Sequence, residues 1–350
     1  MTVTLNDIAQ QVGVRISTVS RVLNNKPNPI RISEATKRKI LQAAREMGYH
    51  PNAAARSLST KRTGHIGFIL SDDIAGGLTN NFFASYLAGV EQACRRRGYG
   101  LNVCLYNLSN VNTFVFPSRV GQRSVDGLVL AGYVAESIVA RFSEFGIPCV
   151  GLGQDTELTG LVPTVAVDDV EGLILGVRHV YGLGHRQVLL HKSPRRRGRE
   201  VVRQVKDRVK NDAILKDCQI LVKEPSSGNC DFYSAPELFQ FWRDLPADQR
   251  PTVIFASDQT LVCLLREMDK QGLQCPRDVS LISISDTLLC EYARPALTAL
   301  NFDLADHGRI AVDLLVDHLE GKNNLDSSLS INDLPCTLVE RESTKKISDL

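Results

Sequence analysis

Apolar residues recur along this chain with two different periods. Over the first fifty residues they fall three and four apart: Ile8, Ala9 and Val12, then Val19, Val22 and Leu23, then Ile40, Leu41, Ala44 and Met47. That spacing predicts three short helices, each with one face turned inward. Asn6 is a suitable N-cap for the first helix, and Ser33 for the third. Gly13 permits the left-handed backbone of a sharp turn between the first two, and Gly48 ends the third. Lys26-Pro27-Asn28-Pro29 cannot continue a helix and predicts a loop. Beyond Tyr49-His50-Pro51-Asn52, the run Ala53–Leu58 holds one or two turns of good helix formers. So short a helix forms only when something docks it.

From His65 onward the pattern changes to short, continuous apolar runs: 66–70, 101–106, 127–131, 149–152, 164–167, 188–191, 252–256 and 279–284. Amphipathic segments such as 82–97, 170–183 and 260–271 lie between them. Unbroken apolar strands alternating with helices imply parallel sheets covered on both faces. This stretch is too long for one such sheet, so two Rossmann-like lobes are expected, with ligands beyond the carboxyl ends of the strands, between the lobes.

Composition changes the picture in one respect. With 350 residues, 43% of them hydrophobic and 23% charged, the chain has the make-up of a globular protein of two or three domains. The overall charge of +2 conceals an uneven distribution: residues 1–62 hold eleven Lys/Arg against Asp7, Glu34 and Glu46 (net +8), and the remainder holds 30 basic and 36 acidic residues (net −6). A basic head on an acidic body suits a protein whose head alone meets a polyanion. The nine cysteines are scattered without metal or CxxC spacing, and Cys104, Cys149 and Cys263 sit in apolar runs as small buried hydrophobes do. No signal-like N-terminus and no apolar run approaching about 18 residues occurs, so a reducing, cytoplasmic, membrane-free setting is expected.

The chemistry of the head lies on its second helix. Two short helices joined by a tight turn form a helix-turn-helix, the shape that enters the major groove of double-stranded DNA. Arg21 can reach guanine O6 and N7 as a fork, Ser and Thr hydroxyls can bond base edges or phosphates, and Ile16 offers a contact for a thymine methyl. Leu58, at the end of the short helix that follows, can serve as a minor-groove wedge.

Thr4 to Asn24, with Tyr49-His50-Pro51-Asn52 and Ala55-Arg56-Ser57-Leu58, resembles the head and hinge helix of the lactose/galactose/purine repressor family. The resemblance implies a helix-turn-helix domain over 1–50, a hinge helix over 51–62, and an effector-binding, dimerising domain over 63–345. It implies a homodimer on a palindromic operator. Ile16, Ser17 and Arg21 would read bases, and Thr4, Thr18, Ser20, Asn24, Ser33, Thr36 and Tyr49 would hold phosphates. Ala55 would read the minor groove and Leu58 would wedge it. Arg15 stands where the family has Ser before the recognition helix, and the loop with Pro27 and Pro29 is two residues longer than in the lactose repressor.

The resemblance continues through Asn81-Phe82-Phe83, Val125-Asp126-Gly127, Val167-Asp168-Asp169, Leu183-Gly184-His185-Arg186, Phe255-Ala256-Ser257-Asp258 and Pro295-Ala296-Leu297-Thr298, which fall in family order. It implies a fold similar to periplasmic sugar-binding proteins, with the chain crossing between lobes near 168, 290 and 325. Asp286 matches the ligand-binding Asp of the family, Arg199 most nearly its effector-binding Arg, and Asp258 a cleft residue. Ser71 follows the first body strand, and Phe82 and Phe83 can stack on a ring or pack in the core. Two departures stand out: Ile284-Ser285-Asp286 replaces Gly-Phe/Tyr-Asp, and Lys192-Ser193-Pro194-Arg195-Arg196-Arg197-Gly198-Arg199 is shortened. That arginine run can hold a phosphorylated or carboxylated effector, or form a solvated loop.

No P-loop, GxSxG elbow, HExxH or strand-following GxGxxG occurs, so no catalytic residue, metal or cofactor is expected. His185 reads as structural. The expectation is a cytoplasmic, nucleoid-associated regulator, most simply a repressor, controlled by a sugar or sugar derivative. The alternative is a cytosolic small-molecule binding protein whose basic head serves another polyanion.

Overall fold

The computed structural model describes residues 3–23, 32–49, 62–153, 158, 160–226, 232–331 and 334–347. Asn24, Ala55, Leu58 and the expected hinge through residue 61 lie outside the described residues. The chain divides into two compact units, residues 1–63 and 64–350.

In the first unit, α1 (Leu5–Val12), α2 (Ile16–Leu23) and α3 (Glu34–Glu46) enclose a small core of Ile8, Ala9, Val19, Ile40, Ala43 and Ala44. Val12, Val22, Leu23, Met47 and Tyr49 pack on it, partly buried. Leu41 was expected in this core but is 40% exposed, and Ala43 takes the place. The inward stripe of α3 runs 40, 43, 44, 47, which leaves position 41 about 100° round the helix. The N-cap of α1 is Thr4 rather than Asn6. Thr4 N and Oγ1 both donate to Asp7 Oδ2 at 2.8 Å, and Thr4 Oγ1 accepts from Asp7 N, which makes a capping box. Gly13 adopts φ 72°, as the turn requires.

The second unit holds two six-stranded sheets. Its elements in chain order are β1 (His65–Ser71), α4 (Asn81–Arg97), β2 (Gly100–Tyr106), α5 (Ser118–Gly121), β3 (Gly127–Ala131), α6 (Glu136–Glu144), β4 (Cys149–Leu152), β5 (Thr164–Val165) and α7 (Asp169–Gly182). Then come β6 (Gln187–His191), α8 (Arg196–Asn211), β7 (Gln219–Lys223), α9 (Ala235–Asp244), β8 (Val253–Ala256), α10 (Asp258–Lys270), β9 (Ser280–Ser283) and α11 (Leu288–Tyr292). The chain finishes with β10 (Thr298–Phe302), α12 (Leu304–Leu319), β11 (Ser330–Ile331) and β12 (Cys336–Val339). The first sheet has the order β11-β5-β4-β3-β1-β2, the second β12-β10-β9-β8-β6-β7. All pairings are parallel except β10 with β12.

The chain leaves the first lobe after β5, returns after β10 at Asp303 and crosses again between Ile331 and Cys336. The first crossing lies near 168, as expected; the others are later than the expected 290 and 325. Residue 290 lies in α11, still inside the second lobe, and β10 must complete its pairing with β9 before the chain can leave. The returning α12 packs along α4. Glycines allow that approach: a Cβ on Gly89 would lie 1.8 Å from the Ala305 carbonyl oxygen, and one on Gly308 would lie 2.3 Å from that of Tyr86. Arg97 on α4 then pairs with Asp313, Asp317 and Glu320 of α12 and the turn after it.

Cys149 is buried, while Cys104 and Cys263 are only partly so, and burial raises all three thiols. No helix among the described residues is long and apolar enough to cross a membrane.

Candidate functional site

The outward face of α2 is the chemical surface of the head. Ile16 is 48% exposed and Ser17 is exposed, while Thr18, Ser20 and Arg21 are partly exposed beside them. Val19 is fully buried on the opposite face and fixes the helix's rotation. The Arg15 carbonyl accepts from Thr18 N at 2.9 Å and Val19 N at 3.2 Å, so the backbone starts α2 without the expected Ser. Three of the expected phosphate contacts have structural duties: Ser33 N-caps α3 by accepting from Thr36 N at 3.2 Å, and the Ser33 and Thr36 hydroxyls lie 2.8 Å apart. Thr4 likewise caps α1. Tyr49 is partly buried against the core.

In the body, a cleft of about 590 Å³ opens at the carboxyl ends of the strands of both sheets. The first lobe supplies an aromatic wall. Asn80 Oδ1 accepts from Phe82 N at 3.1 Å and Phe83 N at 3.4 Å, which starts α4 and sets its first turn against the cavity. Phe82 meets Phe83 and Tyr86 edge-on at 5.3 and 5.1 Å, so the three rings hold one another in place. Tyr133, just after β3, completes this side.

The second lobe supplies charge. Lys192 and Ser193 follow β6, and Arg195, Arg196 and Arg197 lead into α8. The run expected as a possible solvated loop is therefore the start of a sixteen-residue helix. Lys192 pairs with Asp169 at 3.4 Å, and the Arg195 guanidinium lies over the Tyr133 ring at 3.6 Å with Asp73 3.9 Å away. Asp258 lines the cleft and accepts from Thr287 Oγ1 at 2.5 Å; burial pushes its carboxyl above the ordinary value.

Phe82, Phe83 and Asp258 thus line the cleft, and three expected contacts do not. Asp286 forms a forked pair with Arg341, at 2.8 and 3.1 Å, whose guanidinium also bonds the Leu297 carbonyl. Its carboxylate is spent joining the end of the chain to the turn after β9. Arg199 is not among the residues lining the cleft; it pairs with Glu224 at 3.2 Å and is two-thirds exposed. Ser71 is fully buried behind the wall, where a Cβ on Gly132 would lie 3.1 Å from its own Cβ. Lys192, Asp169 and Tyr133 were not among the effector contacts expected from the sequence. Lys192 directly follows a strand, and Tyr133 lies one residue further on from one, the positions where such sheets place ligands. His185 is buried between Thr252 Oγ1 at 2.8 Å and the Lys345 carbonyl at 3.0 Å, a structural role.

Two family models match the chain: bacterial regulatory proteins of the lacI family over residues 4–52, and a periplasmic binding protein-like domain over 177–344. The chain is 27% identical to catabolite control protein A of Priestia megaterium, across 99% of this chain and 100% of that one. It is 26% identical to the transcriptional repressor PurR of Photobacterium profundum, across 99% of each. In fold it is similar to the lac repressor dimer bound to operator and an anti-inducer, with a TM-score of 0.78, 23% identity and coverage of 99% and 100%.

Proposed function

This chain belongs to the lacI family of bacterial regulatory proteins, and on that premise we propose that it is a homodimeric transcriptional repressor whose operator binding is set by a small molecule in the body cleft. The observation that carries the reading is the outward face of α2, with Ile16 and Ser17 exposed on a head of net charge +8. In this reading Ile16, Ser17 and Arg21 read bases from the major groove. Thr18, Ser20, Asn24 and Tyr49 hold phosphates, joined by the helix-starting turns of Thr4, Ser33 and Thr36. Ala55 and Leu58 engage the minor groove at the centre of a two-fold operator. Residues 1–50 form the DNA-binding domain, 51–62 the hinge and 63–345 the effector domain, and the protein works in the cytoplasm on the nucleoid.

The effector contacts are Phe82, Phe83 and Asp258. An aromatic wall facing polar groups suits a sugar or sugar derivative. The ligand acts only through unequal affinity for two arrangements of the protein, so it shifts a population.

Selection of genomic fragments on the full chain, followed by titration of the recovered duplex at several salt concentrations, tests the proposal. The expected result is a palindromic site, bound far above random duplex, with affinity falling steeply as salt rises. Binding of equal strength to every duplex would overturn it and leave a small-molecule binder with a basic head.

A further inference from the structure

The cleft carries more positive charge than its own carboxylates neutralise. Lys192, Arg195, Arg196 and Arg197 line it with Asp169 and Asp258. Asp169 is engaged by Lys192, Arg195 is held between Tyr133 and Asp73, and Asp258 is turned to Thr287. Among the described residues Arg196 and Arg197 form no ion pair, and the Nε of Arg197 is buried without a hydrogen-bond partner. A guanidinium left so in a partly enclosed cleft sits at a cost that a bound anion removes.

The backbone adds to this charge. Arg195 is the N-cap of α8 but its side chain makes no capping bond, and the first turn contains no acidic residue. The positive end of a four-turn helix therefore meets the cleft together with two unpaired guanidiniums. Gly198 keeps that geometry, since a Cβ there would lie 2.0 Å from the Ser193 carbonyl oxygen. Across the cavity, the partly exposed rings of Phe82 and Phe83 form an apolar wall, backed by the fully buried Tyr86.

We propose that the cleft takes a small phosphomonoester, its two charges held by Arg196, Arg197 and the first turn of α8, its carbon skeleton laid against Phe82 and Phe83. This rests on the reading of the cleft as the effector site and narrows its ligand class. Two adjacent guanidinium forks and a helix N-terminus match the three acceptor oxygens and double charge of a phosphate. A neutral sugar can accept hydrogen bonds from both forks but leaves their charge uncompensated.

The test uses the full chain, with inorganic phosphate as first probe and chloride at equal ionic strength as reference. Phosphate should raise the melting temperature of the wild type. Arg196→Gln, Arg197→Gln and the double variant should each bind phosphate at least tenfold more weakly. Arg196 is exposed, so its single change preserves the fold. Arg203→Gln makes the same charge change on an exposed part of the same helix, paired with Glu200 and Asp207, and should bind as the wild type does. In calorimetry glucose 6-phosphate should bind at least tenfold more tightly than glucose. The proposal falls if phosphate acts no differently from chloride, if the Arg196 and Arg197 variants bind like the wild type, or if citrate equals the phosphate probes. Operator binding is read separately: a specific duplex without a phosphate response sinks the cleft proposal alone, and a phosphate response without a specific duplex sinks the reading of the head alone.

Discussion

The head and the body solve opposite problems with the same residue types. The head closes its core with six buried side chains, three of them alanine, and presents its chemistry on the outside of one helix. The body buries several dozen apolar side chains in three clusters and keeps its chemistry in the cleft where strands end. A small module has no interior to spare for function, so its reading face lies at regular helical spacing on the surface. A large two-lobed body can hold charge inside, because its core supports the cost.

The sharpest way to break this contrast is to strike each core. Ile40→Ala should remove about 2–5 kcal/mol, most of what so small a core supplies. Scanning calorimetry should show the head transition lost while the body transition keeps its midpoint; an unchanged head would mean that the core is not what holds it. Asp286→Ala should destabilise the body by about 3 kcal/mol, since it strands the partly buried Arg341 charge. Ligand affinity should stay as it was, and a large loss of affinity would return Asp286 to the site.

The body should also respond to mild acid through its buried histidines, whereas in the head Asp7 and Glu34, held below their ordinary values by Thr4 and Lys37, respond only as the pH falls below about 4.5. Burial lowers His191 to about 4 from 6.5, with the nearby Lys223 lowering it further and Glu237 opposing, and neither ring nitrogen has a partner among the described residues. The unfolded chain takes up this proton below about pH 6.5 and the folded body does so only near 4, so stability is fully present above 6.5 and falls across that window. The fall attributable to His191 is up to about 3 kcal/mol, and His179 and His185, also lowered by burial, act in the same direction. Melts of wild type and His191→Leu between pH 7 and 4 should show a shallower slope in the variant; equal slopes would remove His191 from the account.

Arg21→Ala bears on the head's chemistry alone. It should relax preference at one base position by about 1–3 kcal/mol in binding to single-substitution operators, with effector binding unchanged. Equal weakening on every duplex would make Arg21 a phosphate contact. The smallest effect is expected next to the largest: Leu41→Ala, one residue from Ile40 but 40% exposed, should stay within about 0.5 kcal/mol by denaturant titration.

Legibility followed the same division. In the head, helix positions and the inward stripe were readable because local spacing decides them, and the errors were single steps: Asn6 for Thr4 as cap, Leu41 for Ala43 in the core. In the body, the strands buried on both faces stood out as apolar runs, and 127–131 and 149–152 match β3 and β4 to the residue. The edge strand β7 and the two-residue β11 were not singled out. Both are short: β7 offers only three consecutive apolar residues, Ile220-Leu221-Val222, and β11 only two residues in all, whereas the edge strand β2 was legible from the longer stretch Val103-Cys104-Leu105-Tyr106.

The cleft was only partly readable. Phe82, Phe83 and Asp258 reach it, but Asp286, Arg199 and Ser71 do not, because a residue's place after a strand does not say which partner claims its side chain. Arg341, fifty-five residues away, claims Asp286, and Glu224 claims Arg199.

By itself the sequence determined the periods, the caps and turns within a residue or two, the uneven charge and the helix-turn-helix pattern of the head, since each is set by neighbours a few residues apart. Only the tertiary structure decided that the arginine run begins a helix at the cleft, that Tyr133 and Asp169 meet Arg195 and Lys192 there, and that the cations outnumber their partners. Those are balances among groups brought together by two sheets and three crossings, and charge compensation is a property of distance in space.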